Sequence, residues 1–138
     1  MSFEFVVQKA LFDLLVGNLS VGSVAVGIYD DIPQPEDAGA AALFPYIVVG
    51  DDHVLQWDTD TELGAEITAT IHTWSRFAGK KELKDLQGRV YDALHRADFT
   101  IDAYAVVLCV WLSSQSFMDT DGLTRHGVQT FKILIEKI

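Results

Sequence analysis

From Ile67 the chain alternates between apolar and polar positions. Ile67, Ala69, Ile71 and Thr73 fall on one face and Thr68, Thr70, His72 and Trp74 on the other, the period-two pattern of a half-buried strand. After Gly79 the period changes. Leu83, Leu86, Val90 and Leu94 recur at three and four residues and form one apolar stripe, while Lys84, Asp85, Arg89, Asp92 and Arg96 fall mostly off it. Gly64 to His95 therefore predicts a long strand, a short loop and an amphipathic helix, and the helix stripe needs a sheet to lie on.

The remaining segments follow by the same reading. Val7, Leu11, Leu14 and Leu15 predict a helix over Phe5 to Val16, with Glu4 near its start and Gly17-Asn18 placed to end it. Val24 to Tyr29 predicts a short strand, and Asp30 to Leu43, with two prolines and a run of small residues, predicts a loop. Tyr46 to Gly50 reads as a strand. The polar stretch Asp51 to Leu63 reads as a connection whose composition predicts mobility until assembly. Tyr104 to Leu112 is apolar on both alternating faces, which predicts a central strand covered by a helix on one side and by something else, such as another subunit, on the other. Phe117 to Gly127 reads as a turn, and Val128 to Glu136 as a strand with Phe131, Ile133 and Ile135 inward and Thr130, Lys132 and Glu136 outward. The predicted fold class is α+β: a single domain over residues 1–138, with an antiparallel or mixed sheet and two main helices packed on one face.

Composition bounds this picture. With 138 residues and 49% hydrophobic content, the chain is long enough to bury a core without disulfides or metal. Its one cysteine, Cys109, lies in an apolar run and is expected to be an inert buried thiol. The start, MSFEFVV, lacks a basic region and a small-residue cleavage site, and no apolar run approaches the roughly 18 residues of a membrane span, so a soluble, unsecreted product with no membrane partner is expected. The net charge of −10 is unevenly spread: residues 1–62 hold eleven acids and one base, Lys9, whereas residues 63–138 hold nine of each. This balance argues against nucleic-acid recognition, which needs a basic footprint.

Candidate chemistry is sparse. His53, His72, His95 and His126 sit on separate predicted elements without the spacing of zinc ligands. Asp119-Thr120-Asp121-Gly122 lacks the first ligand and the closing glutamate of a calcium loop and fits a turn better. No serine lies in a nucleophile elbow, Cys109 has no neighbouring base, and no phosphate-binding glycine string occurs. A small hydrolase built on Asp51, Asp52, Asp58, Asp60 and Glu62 would need convergent carboxylates with separated pKa values, and nothing in the sequence supplies them. Trp57, Trp74 and Trp111 suit core packing first and interface anchoring second. No catalytic, metal-binding or cofactor-binding residue is predicted, which leaves a binding or structural protein.

Several strings taken together resemble the tail completion family, the tail terminator or tail-to-head joining proteins of long-tailed phages, prophages and gene transfer agents. They are Gly27-Ile28-Tyr29-Asp30 before a proline-bearing loop, Phe44-Pro45-Tyr46-Ile47-Val48-Val49-Gly50, Thr73-Trp74-Ser75-Arg76 with a Gly-Lys-Lys-Glu helix start, Ala93-Leu94-His95, and Asp121-Gly122-Leu123-Thr124-Arg125-His126-Gly127. They span nearly the whole chain in order. The loop Gln34 to Leu43 departs from the family in being longer and richer in alanine.

The resemblance implies a structural virion protein, assembled in the host bacterial cytoplasm and located in the tail. It would close the head-proximal end of the tail tube as a hexameric ring, with the tail tube protein and the head connector as partners. A head-side connector or a tail tube component is the alternative. In a ring, one surface of each copy must complement a different surface of the next. The charge split supplies such a pair: Arg76, Lys80, Lys81, Lys84 and Arg89 on one copy against Asp51, Asp52, Asp58 and Asp60 on its neighbour.

Overall fold

The alternating segment at the middle of the chain becomes the strand on which the core is built. In the computed structural model, which describes residues 3–19, 27–29, 44–101 and 103–138, the elements are α1 (Phe3–Leu19), β1 (Gly27–Tyr29), β2 (Tyr46–Gln56), β3 (Gly64–Ser75), α2 (Lys81–Leu94), β4 (Thr100–Ile101), β5 (Tyr104–Met118) and β6 (Arg125–Lys137). The strands form one sheet in the order β1-β2-β3-β6-β5-β4. The β1–β2 pair is parallel and the other pairs are antiparallel, so the α+β sheet is mixed.

The periodicities of β3, α2 and β6 translate directly into burial. Ile67, Ala69, Ile71 and Thr73 are at most 3% exposed, and they lie opposite Ile133, Phe131, Gln129 and Gly127 of β6. Against this face pack Leu83, Leu86, Val90 and Leu94 of α2, all buried. Val7, Leu11 and Leu15 of α1 and Val90, Ala93 and Leu94 of α2 belong to one core cluster with Ile47, Ile67, Ile71, Phe131, Ile133 and Ile135. Each fully buried aliphatic side chain here contributes about 1.5–3 kcal/mol of transfer free energy.

α2 packs closely because β6 carries glycine at position 127. A Cβ there would lie 2.5 Å from Gln87 Nε2 and 3.0 Å from its Cδ. Gln87 is buried, and its amide donates to the Gln115 carbonyl at 2.9 Å, while Gln129 Nε2 donates to the Gln87 carbonyl at 3.0 Å. These amides fix α2 over β5 and β6 with their donors satisfied.

Four expectations are revised. Helix α1 runs through Gly17-Asn18 to Leu19. The polar stretch after Gly50 is not wholly a connection: β2 continues to Gln56, pairing Asp52–Gln56 with Ala69–Ala65 after a bulge at Val49/Asp52. Only Trp57 to Leu63 forms the hairpin loop. Antiparallel pairing to β3 holds these polar residues extended despite their low strand propensity. Third, β5 reaches Met118 and is not central, because among the described residues only the two-residue β4 lies beyond it. Fourth, β6 begins at Arg125 rather than Val128. The strand expected over residues 24–26 and the loop Asp30 to Leu43, with its alanine-rich part Gln34 to Leu43, lie outside the described residues.

Candidate assembly surfaces

The sheet ends in two unlike edges. On one side β1 covers β2 only at Tyr46–Val48. Past the bulge, Asp51, Asp52, His53, Leu55 and Gln56 are exposed, and among the described residues no strand lies outside them. Asp51 and Asp52 form no ion pair among the described residues. Asp58 in the hairpin loop accepts the Gly64 N–H at 2.9 Å, and Asp60 is exposed. Three of the four acids singled out from sequence are therefore exposed, with no ion pair among the described residues, and the fourth closes its own loop.

The bases divide differently. Arg76 lies at the end of β3, where its Nε donates to Thr124 Oγ1 at 3.1 Å, its Nη2 is 3.9 Å from Asp121 Oδ2, and its guanidinium sits 4.3 Å over the Phe44 ring. Asp121 also accepts the N–H groups of Leu123 and Thr124 and the Thr124 hydroxyl. Those bonds, the Thr124 hydroxyl's first, hold its carboxyl down at about 2. Arg76 thus joins two strings distant in sequence, Trp74-Ser75-Arg76 and Asp121 to Gly127, and its charge is engaged within the chain. Ser75 completes the junction by donating to Glu82 Oε1 at 2.7 Å while accepting the Phe77 N–H.

Along α2, Lys81 pairs with Asp85 at 3.1 Å, both side chains well exposed, a contact of a few tenths of a kcal/mol. Arg89 is half-buried, and its Nη1 is buried without a partner among the described residues. Lys80, at the N-cap with no side-chain cap, and Lys84 one turn later are exposed and form no ion pair among the described residues. Their cations oppose the helix dipole at this end. Of five bases expected on one face, two, Lys80 and Lys84, are exposed and without an ion pair among the described residues.

The second edge, β5, was not legible as one. Among the described residues, its outer side is sealed only in part. β4 covers Tyr104 and Ala105, the Arg96 N–H donates to the Cys109 carbonyl at 2.7 Å, and the Trp111 N–H donates to His95 Nδ1 at 3.1 Å. Beyond Trp111 every residue to Met118 is exposed, including Leu112 at 48% and Phe117 at 45%. The signal for this in the sequence is the absence of any charged residue from Tyr104 to Met118. Cys109, the one fully buried residue of β5, donates its thiol to the Leu94 carbonyl, and burial pushes it up to about 11.

The face of the sheet opposite the core carries a row of rings. Tyr46, Trp74, His126 and Phe117 are successive cross-strand partners on β2, β3, β6 and β5, with centroids 5.1, 4.4 and 4.9 Å apart. Such contacts add about 0.5–1.5 kcal/mol each for true aromatic pairs. His72 stacks on the row, its Nδ1 2.8 Å from His126 Nε2. Burial lowers the pKa of both imidazoles. Gly50 makes room for this ring, since a Cβ there would lie 2.6 Å from His72 Cδ2.

Among the described residues, two grooves are lined by α1. One, of about 410 Å³, is lined by Val6, Ala10, Leu14, Phe99 and Ile101 with Lys9 and Asp13 at its rim, and those two side chains pair with each other at 2.7 Å. Among the described residues no three metal-ligating side chains cluster.

Comparison with known proteins gives a consistent result. The chain matches the family described as Tail completion protein gp17 over residues 9–136. The Tail completion protein gp17 of Bacillus phage SPP1 is 30% identical over 93 residues, which cover 67% of this chain and 69% of that protein. A chain in the virion of a native gene transfer agent particle has the same fold, with a TM-score of 0.79 at 21% identity over 98% of this chain and 99% of that one. The structure of bacteriophage SPP1 gp17 aligns at a TM-score of 0.49 with 24% identity, covering 96% of this chain and 91% of that chain.

Proposed function

Because the chain belongs to the tail completion protein gp17 family, and is therefore a structural protein of the phage tail, we propose that it terminates the tail tube as a ring of identical subunits and presents the surface to which the head connector joins. The observation that supports this reading is the unlikeness of the two ends of the sheet. One end exposes Asp51 and Asp52, and the other is reached by α2 through Gln87 and His95, the helix that carries the exposed Lys80 and Lys84 at its start. A surface that complements a different surface of the next copy adds subunits head to tail, and such contacts close into rings when the rotation permits.

In this reading Lys80 and Lys84, with Lys81 and Arg89 beside them, face Asp51, Asp52, Asp58 and Asp60 of the adjacent copy. Arg76 contributes by shaping the turn rather than by pairing across. Exposed pairs add only about 0–1 kcal/mol each, so charge sets orientation and encounter rate while apolar contact supplies affinity. The hexameric count, the tail tube protein and the head connector as partners follow from the family resemblance.

Sedimentation equilibrium with and without isolated tail tubes tests the proposal. Rings, or monomers that gather only at tube ends, support it; polymerisation along tubes would assign the chain to the tube itself, and a monomer indifferent to tubes at every concentration would overturn it. Reversing Lys80 and Lys84 to glutamate is expected to weaken assembly about tenfold, a loss near 1.4 kcal/mol, and more at low salt than at high.

A further inference from the structure

Resting on the ring reading above, we propose that neighbouring copies join by continuing the sheet: the distal half of β5 in one subunit takes the acidic half of β2 in the next as an added strand. Natural edge strands are protected by lysines, prolines, bulges or cover. β5 has neither a charged residue nor a proline over its fifteen positions. Of its two bulges, the one at Val106/Leu108 lies in the half that β4, His95 and Arg96 already seal, and the one at Trp111/Ser113 marks the end of that half. From Ser113 to Met118 the strand pairs with β6 without further irregularity. Among the described residues only the Gln87 amide reaches this stretch from outside, at the Gln115 carbonyl.

The opposite edge is prepared in the same way. The bulge in β2 falls immediately after the residues β1 covers, and Asp52 to Gln56 then pair regularly with β3, with no strand on their outer side among the described residues. Two regular, open stretches of similar length thus lie at opposite ends of one sheet. Leu55, 49% exposed, offers an apolar partner for Leu112 and Phe117.

Charge selects this pairing over the self-pairing of either edge. α2 runs beside β5 in the opposite sense, with Gln87 at Gln115 and His95 at Trp111, so its first turns, with Lys80 and Lys84, lie toward the Met118 end. A β2 edge laid there brings Asp51 and Asp52 to Lys80 and Lys84, which form no ion pair among the described residues. Two β2 edges would set four carboxylates together, and two β5 edges would leave Lys80 and Lys84 without carboxylate partners, so the heterologous contact alone relieves both.

Chemical cross-linking distinguishes these arrangements. Gln115 and His53 are exposed, one on each open stretch and on the same face of the sheet, where their partners are Val128 and Thr68, so Gln115→Cys and His53→Cys preserve the fold. Native Cys109 is buried with its thiol held at about 11 and does not compete. Under assembling conditions, with tail tubes if they are required, a short bismaleimide is expected to link an equal mixture of the two variants. It should link neither variant alone, and it should convert the double variant into a ladder of multimers. A covalent dimer from either single variant would overturn the proposal in favour of self-pairing. Ring assembly by sedimentation with no cross-link in the mixture would overturn the edge contact and leave the ring reading intact. No assembly at all would overturn both.

Discussion

β3 and β5 are both long strands rich in apolar residues, and they meet opposite fates. β3 alternates in sequence and alternates in burial, with Ala65, Ile67, Ala69 and Ile71 each at most 3% exposed. β5 is more continuously apolar over Tyr104 to Leu112, yet Cys109 is its one fully buried residue. The difference is position. β3 lies between β2 and β6 under the helices, whereas β5 has β6 on one side and two residues of β4 on the other. A run without alternation demands cover on both faces, and the described residues supply elements enough to cover β3 and β6 but not β5. The uncovered apolar surface is what a second chain can take up.

The contrast predicts separable responses to substitution. Ile67→Ala on β3 empties space in the closed core and is expected to cost about 2–5 kcal/mol of folding stability, read as a fall in the urea midpoint. Leu112→Lys on β5 changes an exposed position and is expected to leave that midpoint within about 0.5 kcal/mol while reducing assembly tenfold or more. If Leu112→Lys instead unfolded the monomer, β5 would be stabilised by its own chain and the contrast would fail.

What could be read from the sequence was local. The α2 stripe, the β3 alternation and the inward Phe131, Ile133 and Ile135 follow from period alone, and each is borne out by burial. What was missed depends on residues far apart. Nothing near Tyr104 says that its strand will lie next to the edge, and nothing near Arg76 announces Asp121 and Thr124 as its partners. The extension of β2 through Asp51 and Asp52 was hidden because those residues resist strand structure locally and are held by β3. The open edge did leave one sign: fifteen consecutive residues without charge.

The two strands also differ in how they respond to acid. β5 carries no Asp, Glu, Lys, Arg or His, while the outer face of β3 carries His72 against His126 of β6. Both imidazoles are lowered below their ordinary 6.5, His72 by burial against the pull of Asp51, His126 by burial and by His72 against the pull of Asp119. Tyr46, in the same row, is raised mainly by burial and stays neutral throughout this range. Between the folded pKa values and 6.5 the unfolded chain binds more protons than the folded one, so stability is complete above 6.5 and falls as pH drops through that window. The facing nitrogens, 2.8 Å apart, hold one proton comfortably and two poorly. Urea midpoints at pH 7.5 and 5.5 are expected to differ, and the difference is expected to shrink in His72→Gln/His126→Gln. Asp121, with its carboxyl at about 2, acts only below pH 3.8 and does not enter this window.

The smallest effect concerns the seal on the inner half of the β5 edge. Arg96 follows the C-cap of α2 with φ of 58°, a left-handed conformation that costs a residue with a Cβ about 1–2 kcal/mol. It is held there because its backbone N–H donates to the Cys109 carbonyl at 2.7 Å. Glycine commonly occupies this position after a helix and adopts the angle freely, but it loses about 0.5–1 kcal/mol more chain entropy on folding. Arg96→Gly is therefore expected to raise stability by up to about 1 kcal/mol, since the N–H that seals β5 is kept. Assembly is expected to be unchanged, because the seal belongs to the backbone and the proposed contact begins beyond Trp111. A fall in stability would show that the Arg96 side chain, and not its N–H alone, holds the covered half of β5, and the division of that strand into a closed half and an open half would have to be redrawn.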